Sequence, residues 1–217
     1  GVRMGILLSA PAGNDILYDD SLCEQGRNFC NKIWNCFRMV KGLEVAEIAQ
    51  PETSKYAIQW FDAKLAETEA EIADLFSKYR LSEALMAIFK LYCDEFSGWY
   101  LEMIKPAYQQ PIDRATYEAT LAFFDRLLRL LHPFMPFITE EIWSYLPQGE
   151  AKEDNPHNFI IRADWPEYAE ALAFPEETEK LEMAMSIIKA IRNIRAEAEA
   201  APSKKLSAVI LSDGGRE

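Results

Sequence analysis

Histidine is nearly missing from this sequence, cysteine is sparse, and neither occurs in a spacing that chemistry uses. The two histidines, His132 and His157, have no cysteine or carboxylate at metal-ligand spacing, and no segment supplies the Glu-x-x-His of a di-iron bundle. The four cysteines, Cys23, Cys30, Cys36 and Cys93, include no Cys-x-x-Cys pair. Three of them fit a helical spacing, so they read as small buried hydrophobes in a reducing compartment, not as a disulfide framework. A glycine-rich phosphate loop, a Gly-x-Ser-x-Gly elbow and a Cys/His nucleophile pattern are all lacking. Glu140 and Glu141 are adjacent, and successive helical residues point about 100° apart, which makes them a poor acid/base pair. No catalytic residue and no metal ligand is therefore assigned. There is no run of 18 or more apolar residues and no signal-type start, so a soluble, cytoplasmic chain without a membrane partner is expected.

What is present is a large apolar fraction, 49% of 217 residues, which is enough for a substantial core and against disorder. Acidic residues dominate: 35 Asp and Glu against 23 Lys and Arg, a formal net charge of −12. A field of that sign repels phosphate at long range, so DNA is not an expected partner and any contact with nucleic acid must be local.

One stretch breaks the acidic pattern. From Gln25 to Leu43 the chain has four basic residues and no acidic one. Taken as a helix from Glu24 to Lys41, it sorts into two faces. Phe29, Cys30, Ile33, Cys36, Phe37 and Val40 form an apolar stripe for a core. Arg27, Asn31, Asn35, Arg38 and Lys41 lie on another arc, and Trp34 projects at almost the angle of Arg27 and Arg38. Charge for phosphates, amide and guanidinium edges for bases, and a flat ring for stacking are what single-stranded nucleic acid uses. The plainer alternative is that Trp34 packs under a neighbouring helix and the basic residues only solvate the surface.

The rest of the chain reads mainly as α-helix. Val2–Leu8 is an apolar run with no cap before it, broken by Pro11, Gly13 and Asn14; it has the look of a piece of a larger protein. Asp20 and Ser21 offer caps for the basic helix, with Glu24 completing a capping box with Ser21. Ser54 is a plausible cap for a long amphipathic helix to about Tyr79, with Ile58, Phe61, Leu65, Ile72 and Leu75 inward and the acidic run Glu67–Asp74 as a solvated face. Ser82 opens the next helix, which ends before Pro106; the short joint makes the two antiparallel. Asp113 caps a helix that stops at Pro133, and Pro136 starts a shorter one ended by Pro147. These helices form an antiparallel bundle over residues 21–147, followed by a polar connection over 148–174 with an extended piece at Asn158–Ala163. Residues 175–217 read as a helix from about Pro175 to Ala200 and a strand in LSAVILSD, the start of a small α/β unit.

A second basic group, Lys189, Arg192 and Arg195, drifts around one side of that last helix, opposite Leu181, Ile188, Ile191 and Ile194. Pairing of Arg195 with Glu199 and of Arg192 with Glu197 competes with a nucleic-acid contact there. Phe96, Trp99 and Tyr100, beside Asp94, Glu95 and Glu102, read as core with helix-joining hydrogen bonds.

Five segments, GVRMGILLSAPAGND, EQGRNFCNKIWNCFRMVKG, DEFSGWYLEMIKP, LLRLLHPFMPFITEEIWSYLP and IIKAIRNIRAEAEAAPSKKLSAVI, taken in order, resemble the C-terminal part of bacterial valyl-tRNA synthetases, class I aminoacyl-tRNA synthetases. HPFMPFITEEIW points only to the broad class; RNFCNKIWN followed by FR points to the valyl branch. The resemblance implies a helical anticodon-binding bundle, with residues 1–20 as the end of a stem-contact segment. The catalytic signatures His-Ile-Gly-His and Lys-Met-Ser-Lys-Ser and the editing domain do not occur in this sequence. An intact enzyme would join valine to tRNA(Val) with ATP and Mg2+ and edit mischarged tRNA, as a monomer; this chain would need no cofactor and would be inactive alone. By the same resemblance Arg27 and Arg38 contact anticodon bases or their phosphates, supported by Asn28, Asn31, Lys32 and Asn35. An apolar or aromatic residue about a turn past Arg38 could stack on a base, but this sequence has Leu43 and Val45 there, a departure that leaves Trp34 only as a secondary candidate for stacking. Lys41, Lys189, Arg192 and Arg195 are secondary tRNA-contact candidates. An isoleucyl-type fragment and a helical protein-interaction scaffold are the competing readings.

Overall fold

In the computed structural model, residues 1–9, 19–147, 157–166, 175–201, 204, 205, 207 and 209 are described. They belong to two compact units, Gly1–Phe174 and Pro175–Glu217. The first contains α1 (Val2–Leu8), α2 (Asp20–Lys41), β1 (Val45–Ala46), α3 (Glu52–Ser77), α4 (Leu81–Lys90), a π-helical segment (Leu91–Tyr100), α5 (Leu101–Ile104), β2 (Ile112–Asp113), α6 (Arg114–Leu131), α7 (Pro136–Trp143) and a 3-10 turn (Ile160–Arg162). The mainly α bundle expected from the sequence is what forms. No described helix is long and apolar enough to cross a membrane.

Three of the four helix starts differ from their sequence-predicted caps. For α2 the cap is Asp19, whose carboxylate accepts from the Ser21 N–H at 2.8 Å, so Ser21 lies inside the first turn and its capping box with Glu24 does not form. Helix α1 crosses the start of α2 closely: a Cβ on Gly5 would lie 2.8 Å from the Cys23 backbone nitrogen, and one on Gly26 would lie 2.6 Å from the Gly1 carbonyl. Helix α3 starts at Glu52, because the Pro51 carbonyl accepts from Ser54 N and Lys55 N at 3.0 and 3.2 Å, which leaves Ser54 buried in the turn. Ser82 spends its hydroxyl on the Leu8 carbonyl at 3.1 Å, tying α4 to α1 instead of capping. Asp113 does cap α6, accepting from Thr116 N at 2.8 Å.

Helices α3 and α4 form the expected hairpin, reversed at Tyr79, whose φ of 58° is the left-handed value such a tight reversal needs. The chain then runs on helically from Leu81 to Ile104, with the π segment in the middle. That segment sends Tyr92, Phe96 and Tyr100 inward. Phe96 meets Phe61 at 5.1 Å and Phe124 at 5.0 Å, while Tyr100 meets Phe123 at 5.2 Å, so these two are core, as expected, whereas Trp99 is half-buried. The Tyr100 hydroxyl lies 2.8 Å from Thr120 Oγ1, and burial pushes its pKa far up.

Three features correct the sequence reading. Glu69, inside the acidic run assigned to solvent, is 3% exposed, because Arg126 of α6 reaches across to it. Asn158–Ala163 is not extended: Asn158 has φ 54° and Ile160–Arg162 closes a 3-10 turn. The lapse of period after Gly42 conceals β1, which pairs in parallel with β2, Val45 with Ile112 and Ala46 with Asp113.

The second unit is described by itself. It contains α8 (Pro175–Glu197), close to the expected limits. Of the predicted apolar stripe, Leu181 and Ile191 are half-buried while Ile188 and Ile194 are exposed, and Met185 is the buried residue. The expected strand LSAVILSD lies mostly outside the described residues.

Candidate nucleic-acid interface

Helix α2 is built as an amphipathic rod. Phe29, Ile33, Phe37 and Val40 are buried, and Phe29 packs edge-on against Phe89 and Tyr92 at 4.9 and 5.4 Å. Anchoring that face directs the opposite one to solvent, where Arg27, Asn31, Asn35, Arg38 and Lys41 are all exposed. At 1.5 Å per residue this stripe is about 21 Å long. The Arg38 side chain has no hydrogen bond or ion pair among the described residues, and Lys41 adds a cation in the last turn. Arg27 is paired with Glu24 at 3.5 Å, both side chains two-thirds or more exposed. Arg38 is thus the guanidinium most open to a ligand.

The remaining predicted residues fall elsewhere. Asn28 is exposed but lies with Lys32 on the wall of a groove of about 550 Å³ shared with Phe89, Cys93 and Asp94 of the neighbouring helix. Lys32 is half-buried and its Nζ donates to the Cys93 carbonyl at 3.4 Å, so it ties α2 to the π segment. Partial burial pushes the Cys36 and Cys93 thiols up, but all four cysteines are free and half-buried, not the fully buried residues expected from the sequence. Trp34 is half-buried, its ring 6.0 Å from Phe37 and 6.3 Å from Tyr145 in the turn after α7. It both packs on a neighbour and borders the cationic stripe.

Sequence reasoning missed what lies past Lys41. The β1–β2 pair holds the chain leaving α2 beside the chain entering α6, with Ile112 N donating to Glu44 O at 2.8 Å. Just before the two strands, Gly42–Glu44 and the Lys105–Gln110 loop line a groove of about 350 Å³. Tyr108, in that loop, is 89% exposed, and Gln109 has φ 61°. The signal in the sequence is Tyr-Gln-Gln set between Pro106 and Pro111: a ring and two amides in a segment that prolines keep out of helix.

On α8, Lys189 and Arg192 are exposed and Arg195 is half-buried. The Arg195 Nη2 donates to the Ala201 and Lys204 carbonyls at 3.0 and 3.1 Å, which satisfies groups left open past the helix end.

A further concave region suits chemistry poorly. Around His132, between α7 and the 3-10 turn, lies a groove of about 530 Å³. Glu140 and Glu141, which line it, already act as acceptors, for Ile160 N at 3.2 Å and for the Tyr145 hydroxyl at 3.1 Å. His132 Nδ1 lies 2.7 Å from Thr139 Oγ1, and burial lowers its pKa. Among the described residues no three His, Cys, Asp or Glu side chains gather as a metal site would require.

Comparison with known proteins agrees with the α bundle. Residues 59–210 match the family model described as the anticodon-binding domain of tRNA ligase. The match begins in α3, so α2 lies outside it. Curated relatives extend the likeness over nearly the whole chain: the valine–tRNA ligase of Bacteroides thetaiotaomicron is 53% identical over 214 residues, 98% of this chain and 24% of that protein. That of Parabacteroides distasonis is 59% identical over 196 residues, 90% of this chain and 22% of that protein. That of Phocaeicola vulgatus is 74% identical over 146 residues, 67% of this chain and 17% of that protein. The chain thus spans less than a quarter of the length of these relatives. With its bundle fold and the family match covering most of its length, the chain belongs to the anticodon-binding domain family of tRNA ligases.

Proposed function

We propose that this chain reads the anticodon loop of tRNA(Val), with the exposed stripe of α2 as the contact surface. The observation that carries this is the stripe itself: Arg27, Asn31, Asn35, Arg38 and Lys41 on one open face, in a stretch without a carboxylate, on a chain of net charge −12. Such a surface attracts phosphate only at short range and offers amide and guanidinium edges to unpaired bases. The names of the relatives support valine as the amino acid. Lys41 and the Tyr108 loop extend the surface past the end of α2; Asn28, Lys32 and Trp34 support it from its edges. Lys189, Arg192 and Arg195 are assigned a secondary role on the tRNA.

In the intact enzyme the chemistry lies elsewhere. Attachment of valine, with ATP and Mg2+, and editing of mischarged tRNA are assigned to regions outside these 217 residues, in a monomeric cytoplasmic enzyme. This chain contributes recognition only. A fluorescence titration of the chain with two anticodon stem-loops, one carrying the valine anticodon and one with its middle base changed, tests the reading at low and moderate salt. Tighter, salt-sensitive binding of the valine loop is expected. Equal or absent binding of both overturns the chain as a reader in its own right.

A further inference from the structure

We infer that Tyr145, supported by Trp34, is a stacking platform for one unpaired base of the bound RNA loop, an assignment that rests on the α2 reading above. Tyr145 stands in the turn after α7, far from α2 in sequence, yet its ring lies 6.3 Å from Trp34 at 72° and 5.9 Å from Phe37 at 40°. The three rings are graded from core to solvent: Phe37 is buried, Trp34 half-buried and Tyr145 51% exposed. Each backs the next.

Tyr145 is also held in place. Its hydroxyl donates to Glu141 Oε1 at 3.1 Å, one turn back, and its backbone N–H donates to the Ile142 carbonyl at 3.0 Å. A ring fixed at both ends loses little freedom when a base lands on it. Exposed aromatic side chains are common singly, so exposure alone assigns nothing; the neighbours do. Arg38 is four residues past Trp34, and Lys41 is four past Phe37 and seven past Trp34, which puts both cations on the side of α2 that the aromatic step borders. Both are exposed. A base on the Tyr145 ring therefore has cations beside it for its flanking phosphates, the combination that holds single-stranded nucleic acid. A surface that only needed to pack α7 on α2 would gain nothing from leaving half of this ring in water.

The test uses the 217-residue chain, the valine anticodon stem-loop, and the same stem-loop with one loop base at a time replaced by an abasic sugar. Tyr145→Ala is expected to weaken binding of the intact loop by about 5- to 100-fold, the range of one base–aromatic stack, with an unchanged salt slope. Tyr145→Phe, which keeps the ring and drops the Glu141 bond, should stay within about twofold of the parent by the same reasoning. On one abasic probe alone, the parent and Tyr145→Ala should bind equally. Two results overturn the platform while leaving the α2 reading intact: Tyr145→Ala binding like the parent while Arg38→Ala binds weakly, or the same loss on every abasic probe with a matching drop in melting temperature. Failure of the parent chain to bind any stem-loop at low salt overturns both.

Discussion

Arg126 holds Glu69 by two points, Nε to Oε1 at 3.1 Å and Nη2 to Oε2 at 2.6 Å, and its Nη1 reaches Asp62 Oδ1 at 2.6 Å. One guanidinium thereby joins two turns of α3 to α6. The Glu69 side chain is only 2% exposed, and this guanidinium is its ion-pair partner. Arg126→Met should cost about 3–5 kcal/mol, because it leaves a buried carboxylate alone. Urea unfolding measures the loss, and the double variant Arg126→Met, Glu69→Leu should recover most of it. A double variant as unstable as the single one would mean that the arginine stem, not the ion pair, supplies the stability.

The approach of α1 to α2 depends on two glycines. A Cβ on Gly5 would meet Cys23 Sγ at 2.7 Å and its backbone nitrogen at 2.8 Å, and one on Gly26 would meet the Gly1 carbonyl at 2.6 Å. Backbone cannot swing aside as a side chain tip does, so Gly5→Ala should force α1 away, at about 1–3 kcal/mol. Faster amide exchange in Val2–Leu8, with α3 and α6 unaffected, is the expected signature.

Arg38 and Arg27 share a face but not a state. Arg27 is already paired with Glu24, whereas Arg38 is open. Arg38→Ala should weaken the valine stem-loop by about 1–3 kcal/mol and lower the salt slope by about one. Arg27→Ala should have the smaller effect, and Glu24→Gln, which releases Arg27, should tighten binding slightly. Equal losses from both arginine variants would remove the distinction.

His132 makes stability depend on pH. Its pKa lies below the ordinary 6.5, chiefly because burial disfavours the imidazolium, with Arg3 acting in the same sense and Glu140 against it. The unfolded chain then binds the proton more readily than the folded one. Stability should be complete above about pH 7 and fall as pH drops through 6.5 toward the folded value. Melting followed across this window should show the fall in the parent and a flatter profile in His132→Gln. A rise in stability on acidification would reverse the sign.

The bundle and the basic helix were legible because both are periodic. Phe29, Ile33, Phe37 and Val40 recur at helical spacing, and the stretch without acidic residues around Arg27–Lys41 needs no partner to be seen. The hidden parts are those in which one segment answers another. Glu69 belongs by spacing to an acidic surface and is turned inward only by Arg126, 57 residues on. Strands β1 and β2 are two residues each, too short for any alternation to register. By sequence Asp20 and Ser21 are equally able to cap α2, and only the coordinates single out Asp19, bonded to the Ser21 N–H. Tyr145 comes beside Trp34 only after α6 and α7 have folded back. Local chemistry was readable, while the pairing of distant segments required coordinates.

The short parallel ladder has a mechanical meaning. Val45–Ala46 follows the end of α2 and is bonded to Ile112–Asp113, and Asp113 is the cap of α6. Whatever pulls on Lys41 therefore pulls, within a few bonds, on the first turn of the helix whose Phe123 and Phe124 fill the core. The α2 tip is tied to the bundle at this point, so the proposed RNA loop would bear on a segment bonded to the core helix behind it.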